Sequence, residues 1–270
     1  MKERPAGVKL PGGLRIYRFL TVCALALGVA GRGRKGLDVR TTRWLGIEGL
    51  GLLAGLVALP VLAVGLYLGL VWAPPDAMMG DVQRVMYVHF PSWIATALGY
   101  VTAFVCSLLY LASRREGLDH LAQAGVEVGV LFNTTGLITG SIWGRPTWGV
   151  WWTWDPRLTT TAIMLIIFVG YLLVRAFLED PDARARVGAL VAIMGFITLP
   201  IVYYSVQWWR TLHQPQSSPS TVDPRMVVAL RVMMIAFTLT TLYLMSRRYE
   251  LARLEAAAER LELDPGVSDG

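Results

Sequence analysis

Charge is scarce in this 270-residue chain. Asp, Glu, Lys and Arg make up 16 % of it, where a soluble domain carries about a quarter. That excludes an ordinary globular protein. Cysteine is scarcer still. Cys23 and Cys106 stand far apart in apolar surroundings and form no C-x-x-C pair, which excludes a thiol–disulfide exchanger and a cysteine-rich zinc site. The phosphate-loop pattern G-x-x-x-x-G-K-[ST] is missing, and the glycines of GRGRKG at 31–36 lack its spacing. The chain is therefore no phosphate-loop ATPase, and any energy input comes from a partner. Internal repeats and long linkers are missing too. Histidine occurs only three times, at 89, 120 and 213.

What is abundant is apolar sequence. Hydrophobic residues are 54 % of the chain, and they fall into six stretches of about 20 residues, the length of a bilayer-spanning helix. The stretches are 48–72, 92–112, 124–142, 158–178, 187–206 and 226–246. They predict an all-α fold, a polytopic integral membrane protein with six transmembrane helices. Six spans put both termini on one side. That side carries ten Lys/Arg within 1–47, then Arg114, Arg115, Arg184, Arg186, Arg247, Arg248, Arg253 and Arg260, which makes 18. The other side carries 5: Arg84, Arg145, Arg157, Arg210 and Arg225. Positive loops stay in the cytoplasm, so both termini are expected there, and 73–91, 143–157 and 207–225 face outward. The net charge of +6 then reads as a topology signal and not as a nucleic-acid footprint.

Three parts follow. Residues 1–47 form a basic cytoplasmic extension, partly absent from the mature protein or interfacial. Residues 48–246 are the membrane domain. Residues 247–270 are a charged helical tail ending near Asp264-Pro265-Gly266. Within the extension, IYRFLTVCALALGVA at 16–30 resembles a signal-peptide core. Arg18 interrupts it, and Arg32, Arg34 and Lys35 follow at once, which opposes export. Val39 is an alternative translation start.

Five of the ten tryptophans, Trp143, Trp148, Trp151, Trp152 and Trp154, fall in SIWGRPTWGVWWTWDPRLT on the outward side. Tryptophan is enriched at membrane interfaces, but a belt spreads its rings around the protein. Five in one loop, spaced by Gly144 and Gly149, make a stacking surface for a flat apolar ligand. Asp155 before Pro156 reads either as a helix N-cap with proline at N1 or as a polar contact to ligand or partner. Arg145 and Arg157 flank the rings, placed to pair with carboxylates or to anchor at headgroups. His89, in RVMYVHFPSW, stands just before the second span, and His213, in YSVQWWRTLHQP, just after the fifth. Both lie on the outward side. Two imidazoles on different helix ends can hold one metal from opposite faces, as six-coordinate haem iron requires. His120, in GLDHLAQ, lies on the inner side and reads as a surface residue. A transporter would instead need ionisable groups within its spans, for which Glu127, Arg231 and the polar Asn133 are the candidates.

These motifs resemble one family. Trp143-Gly144, Trp148-Gly149, Trp151-Trp152, Trp154-Asp155 and Arg157-Leu158-Thr159 look like the tryptophan-rich WWD motif of haem-handling proteins. The stretches around His89 and His213 resemble the two histidine regions of its cytochrome c maturation protein C branch, over about residues 48–246. The resemblance implies an inner-membrane protein that holds haem b as transient cargo at the periplasmic face. His89 and His213 would be the axial ligands and metal-binding residues over the WWD loop 143–157. Trp143, Trp148, Trp151, Trp152, Trp154 and Asp155 would contact the cofactor, and Arg145, Arg157 or Arg231 the propionates. It further implies delivery, with no enzymatic step of its own, to a membrane-anchored periplasmic haem chaperone during c-type cytochrome maturation. ABC-type ATPase and permease subunits and a small single-span protein would be partners. The basic extension of about 40 residues departs from the family pattern. Asp155-Pro156 is closer to the haem export and attachment proteins of the other maturation system, which are larger and carry further ligand histidines. That system and a non-haem transporter subunit are the alternative readings.

Overall fold

A continuous apolar sequence in a bilayer has no water to satisfy its backbone, so it closes its hydrogen bonds within itself as helix. The structure, a computed structural model, describes residues 47–213 and 222–263. The expectations for the basic extension, Cys23, Val39 and the Asp264-Pro265-Gly266 stop lie outside the described residues. Helix α1 covers Ile47–Tyr67 and runs on through a π-helical turn, Leu68–Trp72. A 3-10 turn at Asp81–Val85 leads into α2, Met86–Ser113. Then follow α3, Glu116–Trp148, α4, Pro156–Phe177, α5, Pro181–Phe196, α6, Thr198–Trp208, and α7, Pro224–Leu263. Among the described residues there is no strand, only an isolated bridge between Asp76 and Gly80. Six spans are long and apolar enough to cross a membrane, with α5 and α6 together making one. The described residues up to Arg253 belong to one compact unit, whose packing is described next.

Several spans outrun their apolar cores. Residues 143–148, expected in a loop, continue α3 through Pro146 to Trp148. A proline one turn from the end removes only one hydrogen bond. The stop comes at Gly149, whose φ of +80° suits a residue without Cβ. Its N–H donates to the Arg145 carbonyl at 3.0 Å. His89 likewise lies in the first turn of α2 and not ahead of the helix.

Three helices start with the same dipeptide. Asp155 accepts from Arg157 N (2.9 Å), Asp180 from Asp182 N and Ala183 N (3.1 Å each), and Asp223 from Arg225 N (2.8 Å). In each case proline follows the capping aspartate, where its missing N–H costs nothing. The N-cap reading of Asp155 is thus the one the geometry bears out.

Helices α2 and α3 meet backbone to backbone. A Cβ on Gly99 would lie 2.6 Å from the Gly125 carbonyl, and one on Gly125 2.6 Å from that of Gly99. Small residues let two backbones meet in this way. Beside this contact Tyr100, Phe168, Met164 and Tyr171 form the core, with the Tyr100 and Phe168 rings stacked at 3.6 Å. Asn133 serves that core, donating to the Tyr100 hydroxyl at 3.3 Å.

At the end of α3 that starts with Glu116, polar residues recur every fourth position. Arg175 of α4 forms a bidentate pair with Asp119 (2.7 and 2.8 Å) and donates to Gln123 (2.9 Å). Gln123 donates to Glu127 at 2.9 Å, and Arg248 of α7 donates to the same carboxylate. Glu127 is therefore committed to an ion pair between helices. Arg231 lies exposed on α7, on a face shared with Val228 and Ile235.

Candidate functional site

The opposite end of α3 reaches His89 and His213, the two histidines expected on the outward side. His89 lies edge-on to Trp143, with ring centroids 5.7 Å apart at 76°, and His213 edge-on to Trp148, at 4.8 Å and 68°. Both tryptophans sit on the last turns of α3, five positions apart, or about 7.5 Å along the axis. His120 stands in the first turns of that helix, about 35 Å away by the same rise.

Hydrogen bonding fixes the tautomer of each ring. His89 Nδ1 faces the Gly136 carbonyl at 3.0 Å and Thr139 Oγ1 at 3.2 Å. The Thr139 hydroxyl already donates to Thr135 O at 2.7 Å, so both partners can only accept, and Nδ1 carries the proton. His213 Nδ1 faces Asp155 Oδ1 at 3.1 Å, and an ionised carboxylate only accepts. Each ring thus leaves Nε2 unprotonated, with a lone pair for a metal. Burial holds His213 below the ordinary histidine range, against the opposing pull of Asp155, which keeps that lone pair open near neutral pH.

Asp155 is the hub on this side. It is buried, at 6 % exposure, and besides capping α4 it accepts from Thr211 Oγ1 (2.6 Å) and Leu212 N (2.7 Å). Thr211 in turn accepts from His213 N at 3.0 Å. Burial alone would raise the Asp155 carboxyl, but the donors from Thr211, Leu212 and Arg157, with His213 nearby, hold it below the usual range. One carboxylate thereby fixes both the start of α4 and the irregular segment that carries His213.

The tryptophan cluster is divided in two. Trp143 and Trp148 belong to the helix, while Trp151, Trp152 and Trp154 lie in the segment between α3 and α4. Trp151 and Trp154 are exposed, and Trp152 stands edge-on to Trp154 at 5.7 Å. Trp143 Nε1 is buried without a hydrogen-bond partner among the described residues. Arg145 is exposed and donates to the Gly149 carbonyl, closing its own turn. Arg157 is half-buried on the first turn of α4, with Asp155 and Tyr203 in electrostatic reach.

Sequence reasoning passed over several participants. Thr139 and the Gly136 carbonyl leave no readable mark, since any residue supplies a carbonyl. Thr211 was legible only as part of the run before His213. Tyr203, Tyr204, Trp208 and Trp209 form an exposed aromatic ledge beside that run, with Tyr204 and Trp208 stacked at 5.4 Å. Its signal was the four-residue spacing of Tyr204 and Trp208 on a helix. Among the described residues no group of three or more His, Cys, Asp and Glu could hold a metal ion. Two histidines suit a metal that brings its own equatorial donors.

Residues 44–262 match the family model CcmC, heme exporter protein C. The chain is similar to the heme exporter protein C of Bradyrhizobium diazoefficiens, at 38 % identity over 200 residues, which cover 72 % of this chain and 75 % of that protein. To that of Escherichia coli K12 it is 34 % identical over 198 residues, covering 72 % and 81 %. To that of Haemophilus influenzae it is 34 % identical over 209 residues, covering 76 % and 85 %.

Proposed function

Because this chain belongs to the heme exporter protein C family, we propose that it handles haem for cytochrome c maturation, holding it between His89 and His213 at the outer face of a bacterial inner membrane. The observation that carries this reading is the pair of imidazoles at one end of α3, each with Nδ1 committed to an acceptor and Nε2 open. A six-coordinate haem iron takes that donor set. The exposed rings of Trp151 and Trp154 supply apolar area for the macrocycle. The Arg157 guanidinium, half-buried on the first turn of α4, would meet the propionates. Arg145 is a weaker candidate, being spent on Gly149.

The excess of basic residues on one side puts both termini in the cytoplasm and the two histidines toward the periplasm. Haem is then cargo, held by side chains that exchange and passed to a membrane-anchored haem chaperone. An ABC-type ATPase and permease, with a small single-span protein, supply the energy that this chain lacks the motif to provide. The chain performs no catalysis of its own.

The test is the absorption spectrum of the purified protein. A Soret band with low-spin, six-coordinate iron is expected, His89→Ala and His213→Ala should each disturb it, and His120→Ala should leave it intact. Unaltered low-spin haem in both outer variants would refute the assignment.

A further inference from the structure

The two histidines are chemically unequal. His89 Nδ1 meets only neutral acceptors, the Gly136 carbonyl at 3.0 Å and the Thr139 hydroxyl at 3.2 Å. His213 Nδ1 meets the carboxylate of Asp155 at 3.1 Å. A carboxylate draws the Nδ1 proton toward itself and makes Nε2 a stronger donor to a metal, whereas a carbonyl does so weakly. We propose that Asp155 makes His213 the stronger, retained ligand of the haem iron, and that His89 is the ligand released when haem is handed on. This rests on the reading that the two histidines hold haem. Asp155 is then a positioning residue that acts through His213.

The arrangement around Asp155 fits such a role. His213 lies outside any helix, so its direction depends on what its segment is tied to. Both carboxylate oxygens tie it: Oδ2 takes Thr211 Oγ1 and Leu212 N, and Oδ1 takes His213 Nδ1. His89 needs no such tie, because α2 holds its backbone and Trp143 faces its ring. The two ligands are thus built differently, one fixed by helix geometry and a neutral bond, the other by a buried negative charge.

The experiment uses the full-length, haem-loaded protein. Asp155→Asn keeps an N-cap of equal quality, removes the charge and leaves one acceptor oxygen where the carboxylate has two. Its haem should stay six-coordinate, while the ferrous-to-ferric ratio at a fixed potential rises about tenfold, a midpoint shift of about 59 mV upward. Thr211→Val removes a donor that competes for the carboxylate and should shift the midpoint downward, a sign that general loosening does not produce. An unchanged midpoint in Asp155→Asn overturns the proposal. If that variant does not accumulate, an upward or absent shift in Thr211→Val overturns it instead. The ranking is read from glycine variants. His89→Gly should keep its haem as a high-spin species that added imidazole returns to low spin, and His213→Gly should retain about tenfold less haem. Equal loss in both refutes the ranking. Normal low-spin haem in both refutes haem ligation itself.

Discussion

Replacing Asp119 with alanine is expected to destabilise the protein by about 3–5 kcal/mol, the cost of breaking a buried ion pair and leaving one charge behind. Both side chains are only 9 % exposed, and the guanidinium of Arg175 would keep Gln123, the face of Tyr171 5.6 Å away and the more distant charge of Glu127. Water has little room to replace the lost carboxylate between α3 and α4, where both partners are this well covered. For a chain of this size the midpoint of thermal unfolding in detergent should fall by something of the order of 10 °C. The double variant Asp119→Leu with Arg175→Met should recover most of the loss, because an apolar pair of similar volume is often as stable as the ions it replaces. An Asp119→Ala protein that unfolds at the parent temperature would remove this pair from the forces holding α3 to α4. The absorption spectrum at the other end of α3 should be unchanged in whatever fraction remains folded.

Gly99→Val should cost about 3 kcal/mol, at the upper end of overpacking penalties, and should reach the histidine end as well. The Cβ would be placed 2.6 Å from the Gly125 carbonyl and 2.9 Å from Gly129 Cα. These are backbone atoms that cannot rotate away, so α2 must move off α3. His89 rides on α2, and its Nδ1 reaches the Gly136 carbonyl across that same interface. Lower thermal stability should therefore come with a weaker or high-spin haem signal. Gly117→Ala is the control, since its nearest atom is the end of a flexible side chain, Tyr249 Oη at 3.2 Å. Equal behaviour of the two variants would show that the glycine contact does not set the helix spacing.

The spans were legible because a bilayer demands a continuous apolar run, and all six are found where the runs lie. Their ends were less legible. Helices persist past the apolar core wherever capping permits, as α3 does to Gly149 and as α4, α5 and α7 do back to an Asp-Pro start. Asp155-Pro156 was readable as a cap, and Asp180-Pro181 and Asp223-Pro224 carried the same signal. What could not be read was the second duty of Asp155. It depends on a segment more than fifty positions later in the sequence lying against it, and only tertiary structure brings the two together. The candidate histidines were visible because so few exist. Their partners were not, since one is a backbone carbonyl and another a threonine among many. Glu127 and Asn133 looked like functional oddities from sequence, yet each has a packing partner, Arg248 and Tyr100.

Trp143 and Trp148 sit on one rigid helix, and each touches a different histidine. Every residue added or removed between them would turn one ring by about 100° relative to the other and displace it by about 1.5 Å. The number of intervening residues is therefore fixed, and Gly144 among them is fixed in kind as well, because a Cβ there would lie 3.1 Å from the Trp148 ring. That stretch works as a screw thread of fixed pitch, intolerant of an extra fraction of a turn.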